Sequence, residues 1–230
     1  MGRIFFKLTL GLLFVLLVSG AGGQSTKAPA SSFPLDSAAG LEAVEQKPEA
    51  VTYHGRRAVR LLDNSEQSKT GGGIVIVTGS DFKDGTIEAE IAGMPRKGAP
   101  EDIRGFFGIA FHVQPHGSQY ECIYLRATNG RSDDQVRRNH STQYISYPDY
   151  PWERLRKENP GVYESYVDIE PGAWTKIKIV VSGTRAKLYV NGADQPCLIV
   201  NDLKLGESRG QIALWIGVDT EAYFSKLTVK

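Results

Sequence analysis

The chain of 230 residues has little of what metal and redox chemistry use: two cysteines, Cys122 and Cys197, and four histidines. No CxxC pair and no Cys/His spacing occurs, so nothing in the pattern specifies a cysteine-ligated metal. Two thiols this far apart make no disulfide framework. They could pair after export, or pack singly in the apolar runs they occupy. Charge of one sign is missing too. Lysine and arginine total 27 against 26 acidic residues, which leaves no electrostatic footprint for nucleic acid or an anionic membrane. Past residue 18 there is neither a long apolar run nor a sustained 3.6-residue period, which argues against a helical architecture.

What is present begins with an address. Arg3 and Lys7 precede the run LTLGLLFVLLV, residues 8–18, and the small residues SGAGG follow it. A basic start, a short apolar core and small residues predict a signal peptide over 1–23. The run is shorter than the roughly 20 residues a spanning helix needs, so no membrane span is expected in the mature chain. Export to the periplasm, the cell surface or the medium is the expectation. Residues 24–40, rich in Ser, Ala and Pro, read as a flexible linker. One domain is expected over 41–230, long enough to bury a core without disulfides.

From residue 51 the pattern is β. GIVIVTG, DGTIEAEIAG, GFFGIAFHV, QYECIYLRAT, WTKIKIVVSG, RAKLYVNG, CLIV, GQIALWIG and AYFSKLTV are separated by Gly, Asn, Asp and Pro clusters. PWERLRKENPG predicts a helical turn or two ending before Pro160. Parity sorts the faces. Ile87, Ala89 and Ile91 point one way, and Glu88 and Glu90 the other. Ile123 and Leu125 oppose Cys122, Tyr124 and Arg126. These alternations predict an all-β jelly-roll sandwich of two antiparallel sheets. One outer face is expected to be lysine-rich and solvated. The other is expected to collect Glu88, Glu90, His112, Tyr124 and Arg126.

The pair WTKIKIVVSGTRAKLYVNG, residues 174–192, resembles the strand pair of concanavalin A-like and laminin G-like domains. With FKDGTIEAEIAG, GFFGIAFHVQPHGSQYECIYLRATNG and EAYFSKLTV, the chain is similar to the bacterial glycoside-hydrolase-16-like family, also called the 3-keto-disaccharide hydrolase domain. The resemblance implies sugar chemistry on a concave sheet. It departs from the glucanases, whose catalytic strand reads E-x-D-x-x-E or E-x-D-x-E. YVDIEPG and IEAEI do not fit that form, although a retaining pair of carboxylates needs a spacing near 5–5.5 Å. His112 stands where relatives commonly carry an arginine.

The segment DDQVRRNHSTQYISYPDYPW, residues 133–152, neither alternates cleanly nor repeats at helical spacing. It is expected to be a long, ordered loop lying over one sheet and closing a site. Asp133, Asp134, Arg137, Arg138, Asn139, His140, Gln143 and Tyr144 could line a sugar or anion site, with Trp152, Tyr147 and Tyr150 as platforms. Arg126 in mid-strand demands a partner, either Glu88 or Glu90 or a ligand. Glu88 and His140 are the candidate acid and base. Glu90, His112, Tyr124, Arg126, Asp134, Arg138, Asn139, Gln143, Tyr144 and Trp152 are the candidate substrate contacts. The cofactor is left open: a divalent metal at Asp133, Asp134 and His140 is compatible with these residues, but no spacing specifies one. Carbohydrate is the expected partner, as a recognition module or an enzyme on glycosides. The remaining alternative is a laminin G-like protein-interaction module.

Overall fold

A computed structural model describes residues 1–2, 30–44, 46–63 and 73–230. Residues 3–23 of the expected signal peptide and 24–29 of the expected linker lie outside the described residues. The first strands are β1 (Ser31–Phe33), β2 (Leu41–Ala43), β3 (Glu49–Tyr53), β4 (Arg56–Leu62), β5 (Gly73–Phe82), β6 (Gly85–Pro95), β7 (Phe106–Val113) and β8 (Tyr120–Arg126). The chain continues through α1 (Gln135–Arg138), β9 (Thr142–Tyr147), α2 (Trp152–Glu158) and β10 (Glu164–Ser165). It closes with β11 (Thr175–Ser182), β12 (Arg185–Val190), β13 (Leu198–Val200), β14 (Gly210–Ile216) and β15 (Thr220–Val229).

The strands form two antiparallel sheets. The first has the order β13-β12-β11-β6-β15-β4-β3, with β1 also on β15; the second runs β10-β9-β8-β7-β14-β5-β2. Each of the nine expected strand segments lies on one of these strands, and α2 is the expected helical turn. The expected linker is corrected in part. Ser31–Phe33 pairs with residues 227–229 of β15, because Phe33 packs on the core and Leu35 is buried within it. Two apolar anchors are enough to order a stretch that composition alone marks as loose.

Alternation explains the packing. Ile87, Ala89 and Ile91 of β6 and Ile177, Ile179 and Val181 of β11 share one core with Ile109, Ile123, Leu125 and Leu214 of the second sheet. Each fully buried aliphatic side chain contributes about 1.5–3 kcal/mol. On the first sheet the intervening positions form a charged ladder, with Glu88 opposite Lys178 and Glu90 opposite Lys176. Cross-strand charge pairs of this kind suit a solvated face. The second sheet is covered on its outer face as well: all seven residues of β8 are buried.

β9 overturns the expectation of a loop through residues 133–152. It pairs with β8 along its length and with β10 on its other side. Its buried polar groups hide the strand from any apolar/polar count. The Tyr144 hydroxyl donates to Glu121 at 2.6 Å and accepts from the Lys204 amide at 2.8 Å. Gln143, on the other face, accepts from Arg126. After β9, α2 sends Leu155 into the core, while Trp152 and Arg156, one turn apart, reach a cleft on the outer face of the second sheet.

Candidate functional site

The floor of that cleft is set by strand register. Gly108 of β7 lies directly between Tyr124 of β8 and Trp215 of β14. With no side chain between them, the two rings stack across the glycine, their centroids 4.6 Å apart. A Cβ on Gly108 would come within 2.6 Å of Tyr124 Cβ and would also strike the Ile123 carbonyl. Trp215 Nε1 donates to the Tyr120 hydroxyl at 3.3 Å, and Tyr120 stacks on Tyr147 at 4.9 Å. Above this aromatic floor lies a cavity of about 840 Å³, walled by Ile103, Phe106, Ile145, Tyr147, Pro148 and Trp152. Its size and apolar lining are those of small-molecule sites. Burial pushes the Tyr124 hydroxyl up to about 12, so it stays a neutral donor.

A second lobe of about 430 Å³ continues from the first, sharing Asp102, Phe106 and Trp152. Its chemistry is basic: Arg104, Arg126, Arg137, Arg156 and His140 line it, with Asp102 and Asp134. Both terminal nitrogens of Arg126 find acceptors. It donates to the His140 carbonyl at 3.0 Å, Glu164 Oε1 at 2.9 Å, Gln143 Oε1 at 2.9 Å and the Tyr124 hydroxyl at 3.3 Å. Arg156 closes on Glu164 from α2, its Nε 2.8 Å from Oε2 and its Nη2 bonded to Oε1. Burial pushes the Glu164 carboxyl up, but the hydrogen bonds from Arg156 and Arg126 outweigh it and hold it below the usual glutamate range. Both guanidiniums also face the Trp152 ring, Arg126 at 5.7 Å and Arg156 at 4.5 Å.

His140 Nε2 sits 3.7 Å from Glu164 Oε2. Burial lowers its pKa most; Glu164 pulls it back, and Arg156 and Arg126 push it down again. The ring is therefore neutral at pH 7 and can accept a proton.

The structure brings together Tyr124, Arg126, Asp134, His140, Gln143 and Trp152, and leaves the other candidates elsewhere. Glu88 and Glu90 extend from the outer face of the first sheet, where Glu88 accepts from Lys230 at 2.6 Å and Glu90 pairs with Arg56 and Lys226. The expected grouping of these carboxylates with Arg126 is thus corrected, because β6 and β8 belong to different sheets. Glu164, not Glu88 or Glu90, neutralises Arg126. His112 is buried at positive φ beside Phe82 and bonds the Lys83 carbonyl at 2.7 Å, away from the cleft. Tyr144 points into the core. Arg138 lies against Tyr166, and Asn139 accepts from Gln135 at 2.8 Å. Asp134 caps α1, accepting from the Val136 amide at 2.9 Å. Cys122 and Cys197 are both free thiols. Among the described residues, no group of three or more His, Cys, Asp or Glu side chains is placed to hold a metal ion.

Sequence reasoning missed Glu164, Arg156, Arg104, Phe106 and Tyr120, and did not place Trp215 at the site. The signal for Glu164 was indirect. A buried arginine needs a carboxylate, and once Glu88 and Glu90 are assigned to the other sheet, GVYESYV, residues 161–167, offers one among aromatics.

Solved structures share the fold at low identity. The carbohydrate binding module CBM66 from Bacillus subtilis superposes with a TM-score of 0.56 at 15% identity, covering 83% of this chain and 96% of that one. A Bacillus subtilis protein of unknown function with a galectin-like fold gives 0.54 at 11% identity, covering 86% and 94%. The exoplasmic/lumenal domain of VIP36, in a Ca2+/Man-bound form, gives 0.51 at 10% identity, covering 83% and 81%. No curated protein matches the sequence. A family profile does, the 3-keto-alpha-glucoside-1,2-lyase-like domain, over residues 39–230.

Proposed function

The chain belongs to the 3-keto-alpha-glucoside-1,2-lyase-like domain family, and from that premise we propose that the cleft over its second sheet binds a glycoside. The aromatic cavity carries this reading. A pyranose has an apolar face and a rim of hydroxyls, which suits ring faces at Tyr147, Phe106 and Trp152 beside hydrogen-bonding groups at one end. The glycoside lies over the Tyr124–Trp215 floor, and Arg156 and His140 meet its polar rim. The arrangement around residues 1–23, a basic start followed by a short apolar run, supports delivery of the protein outside the cytoplasm. N-terminal sequencing of the protein recovered from its producing cells tests that point. Calorimetry with a glycoside panel tests the cleft. Binding weakened by Trp152→Ala is the expected result, and no sugar binding at millimolar concentration would reject it.

A second reading, catalysis, is favoured by one observation: His140 lines the basic lobe of the cleft, where burial lowers its pKa from the ordinary histidine value. On a 3-keto glycoside the proton at C2 is acidified by the neighbouring ketone. His140 would take that proton, the electron pair would form the C1=C2 double bond, and the C1–O bond would break. The departing oxygen would take up a proton and leave as the free alcohol. Arg156 stands ready to offset the developing negative charge. Glu88 has no part in this, being on the other sheet. Turnover of a 3-keto-α-glucoside that disappears in His140→Gln is the expected result. Turnover that survives the change removes the assignment and leaves the binding reading intact.

A further inference from the structure

The basic lobe holds more positive charge than a neutral sugar requires. Glu164 answers Arg126 and Arg156 together. Arg104 and Arg137 are different: among the described residues, neither has a carboxylate within ion-pairing distance. Arg104 donates to the Glu101 carbonyl at 3.0 Å. Arg137 donates to Asn129 Oδ1 at 2.9 Å and Thr128 Oγ1 at 2.6 Å. Asp134, whose charge is felt at Arg137, is turned to the amides of α1. The fold nonetheless holds the two arginines together. Thr128 bonds the Arg104 carbonyl and receives the Arg137 side chain. Burial, and then the Arg104 charge, lower the proton affinity of Arg137. Arg137 Nη1 makes no hydrogen bond among the described residues, so the free end of its fork remains for a ligand.

We infer that this lobe is an anion subsite, and that the glycoside held in the cleft carries a carboxylate, as a uronic acid does. Two half-buried guanidiniums fixed by neutral acceptors repel each other until an anion arrives, and their planar forks match a carboxylate in a bidentate way. The lobe adjoins the aromatic cavity through Phe106 and Trp152, so one ligand can occupy both. A sulfate ester presents the same charge in a different shape. The inference rests on the glycoside reading, and its test separates the two.

The experiment is calorimetry with a neutral disaccharide, its uronate counterpart and its sulfated counterpart, at about 50 and about 200 mM salt. The proteins are the wild type, Arg104→Gln/Arg137→Gln and Arg104→Lys/Arg137→Lys, each checked for folding by circular dichroism. The uronate is expected to bind at least about 10-fold more tightly than the neutral sugar at low salt, and by a smaller factor at high salt. That preference should collapse to within about 2-fold in the glutamine variant and survive in part in the lysine variant, which keeps charge without the fork. A sulfated sugar preferred over the uronate assigns the site to sulfate instead of carboxylate. Equal binding of neutral and charged sugars overturns the anion subsite and leaves the glycoside reading standing. If no sugar binds, inorganic sulfate decides the subsite alone. Shifts of arginine side-chain resonances that vanish in the glutamine variant keep it, and their absence in the wild type removes it.

Discussion

Replacing Glu164 by glutamine removes the carboxylate that Arg126, Arg156 and His140 share. The Glu164 side chain is 2% exposed and that of Arg126 is 5% exposed, so Arg126 recovers little water when its partner is lost. Breaking a buried pair from one side costs about 3–5 kcal/mol. Glutamine keeps an acceptor oxygen, and Arg156, 35% exposed, regains hydration, so the lower end, about 3 kcal/mol, is expected. For a domain of this size that is a fall in Tm of about 6–12 °C. The sign of the pH dependence follows from Glu164 being held below its ordinary value of 4.5. Its stabilisation is complete above that value and is lost as pH falls through the lower folded-state value. Urea denaturation of both proteins at pH 7 and at about pH 4 measures the gap. A gap below about 1 kcal/mol at pH 7, the range of an exposed pair, would refute the buried-cluster account. So would a gap that does not narrow in acid.

Three further outcomes are expected. Gly108→Ala forces a methyl between Tyr124 and Trp215, and should cost about 1–3 kcal/mol together with a changed tryptophan emission; unchanged emission and stability would contradict the stacked floor. The His140 midpoint, read by NMR, should lie below 6.5 and fall further in Glu164→Gln. The unfolded chain then takes up the proton first, so this group's stabilisation declines as pH falls through 6.5; a midpoint above 6.5 would reverse the reasoning. Leu155→Ala, at a fully buried site, should cost about 2–5 kcal/mol by chemical denaturation, and a loss below about 1 kcal/mol would mean that α2 is not anchored through the core.

Much of the fold was legible because β6 and β11 alternate in a way that only a half-buried strand does. The site was legible in part. Parity placed Tyr124 and Arg126 on one face of β8, but parity does not say which sheet a strand joins. Glu88 and Arg126 look equivalent until topology separates β6 from β8. β9 escaped for a different reason. Glu121, Gln143 and Tyr144 are all buried and paired with one another or with Arg126, so their polarity carries no information about exposure. Glu164 sits on a two-residue strand, 38 residues from the arginine it serves, and local pattern does not reach that far.

The complete burial of β8 has a consequence for how such a site can diversify. The strand that carries Tyr124 and Arg126 on one side carries Ile123 and Leu125 on the other, so each residue underlying the cleft is also a neighbour of the core. Changes there are constrained by folding before they can be selected for recognition. Freedom lies in the segments that cross above: the turn at Asp102, helix α1, and the stretch from Pro148 to Trp152, where side chains are more open to solvent. New ligand preferences should therefore arise by editing those crossings, with the strand beneath held nearly constant.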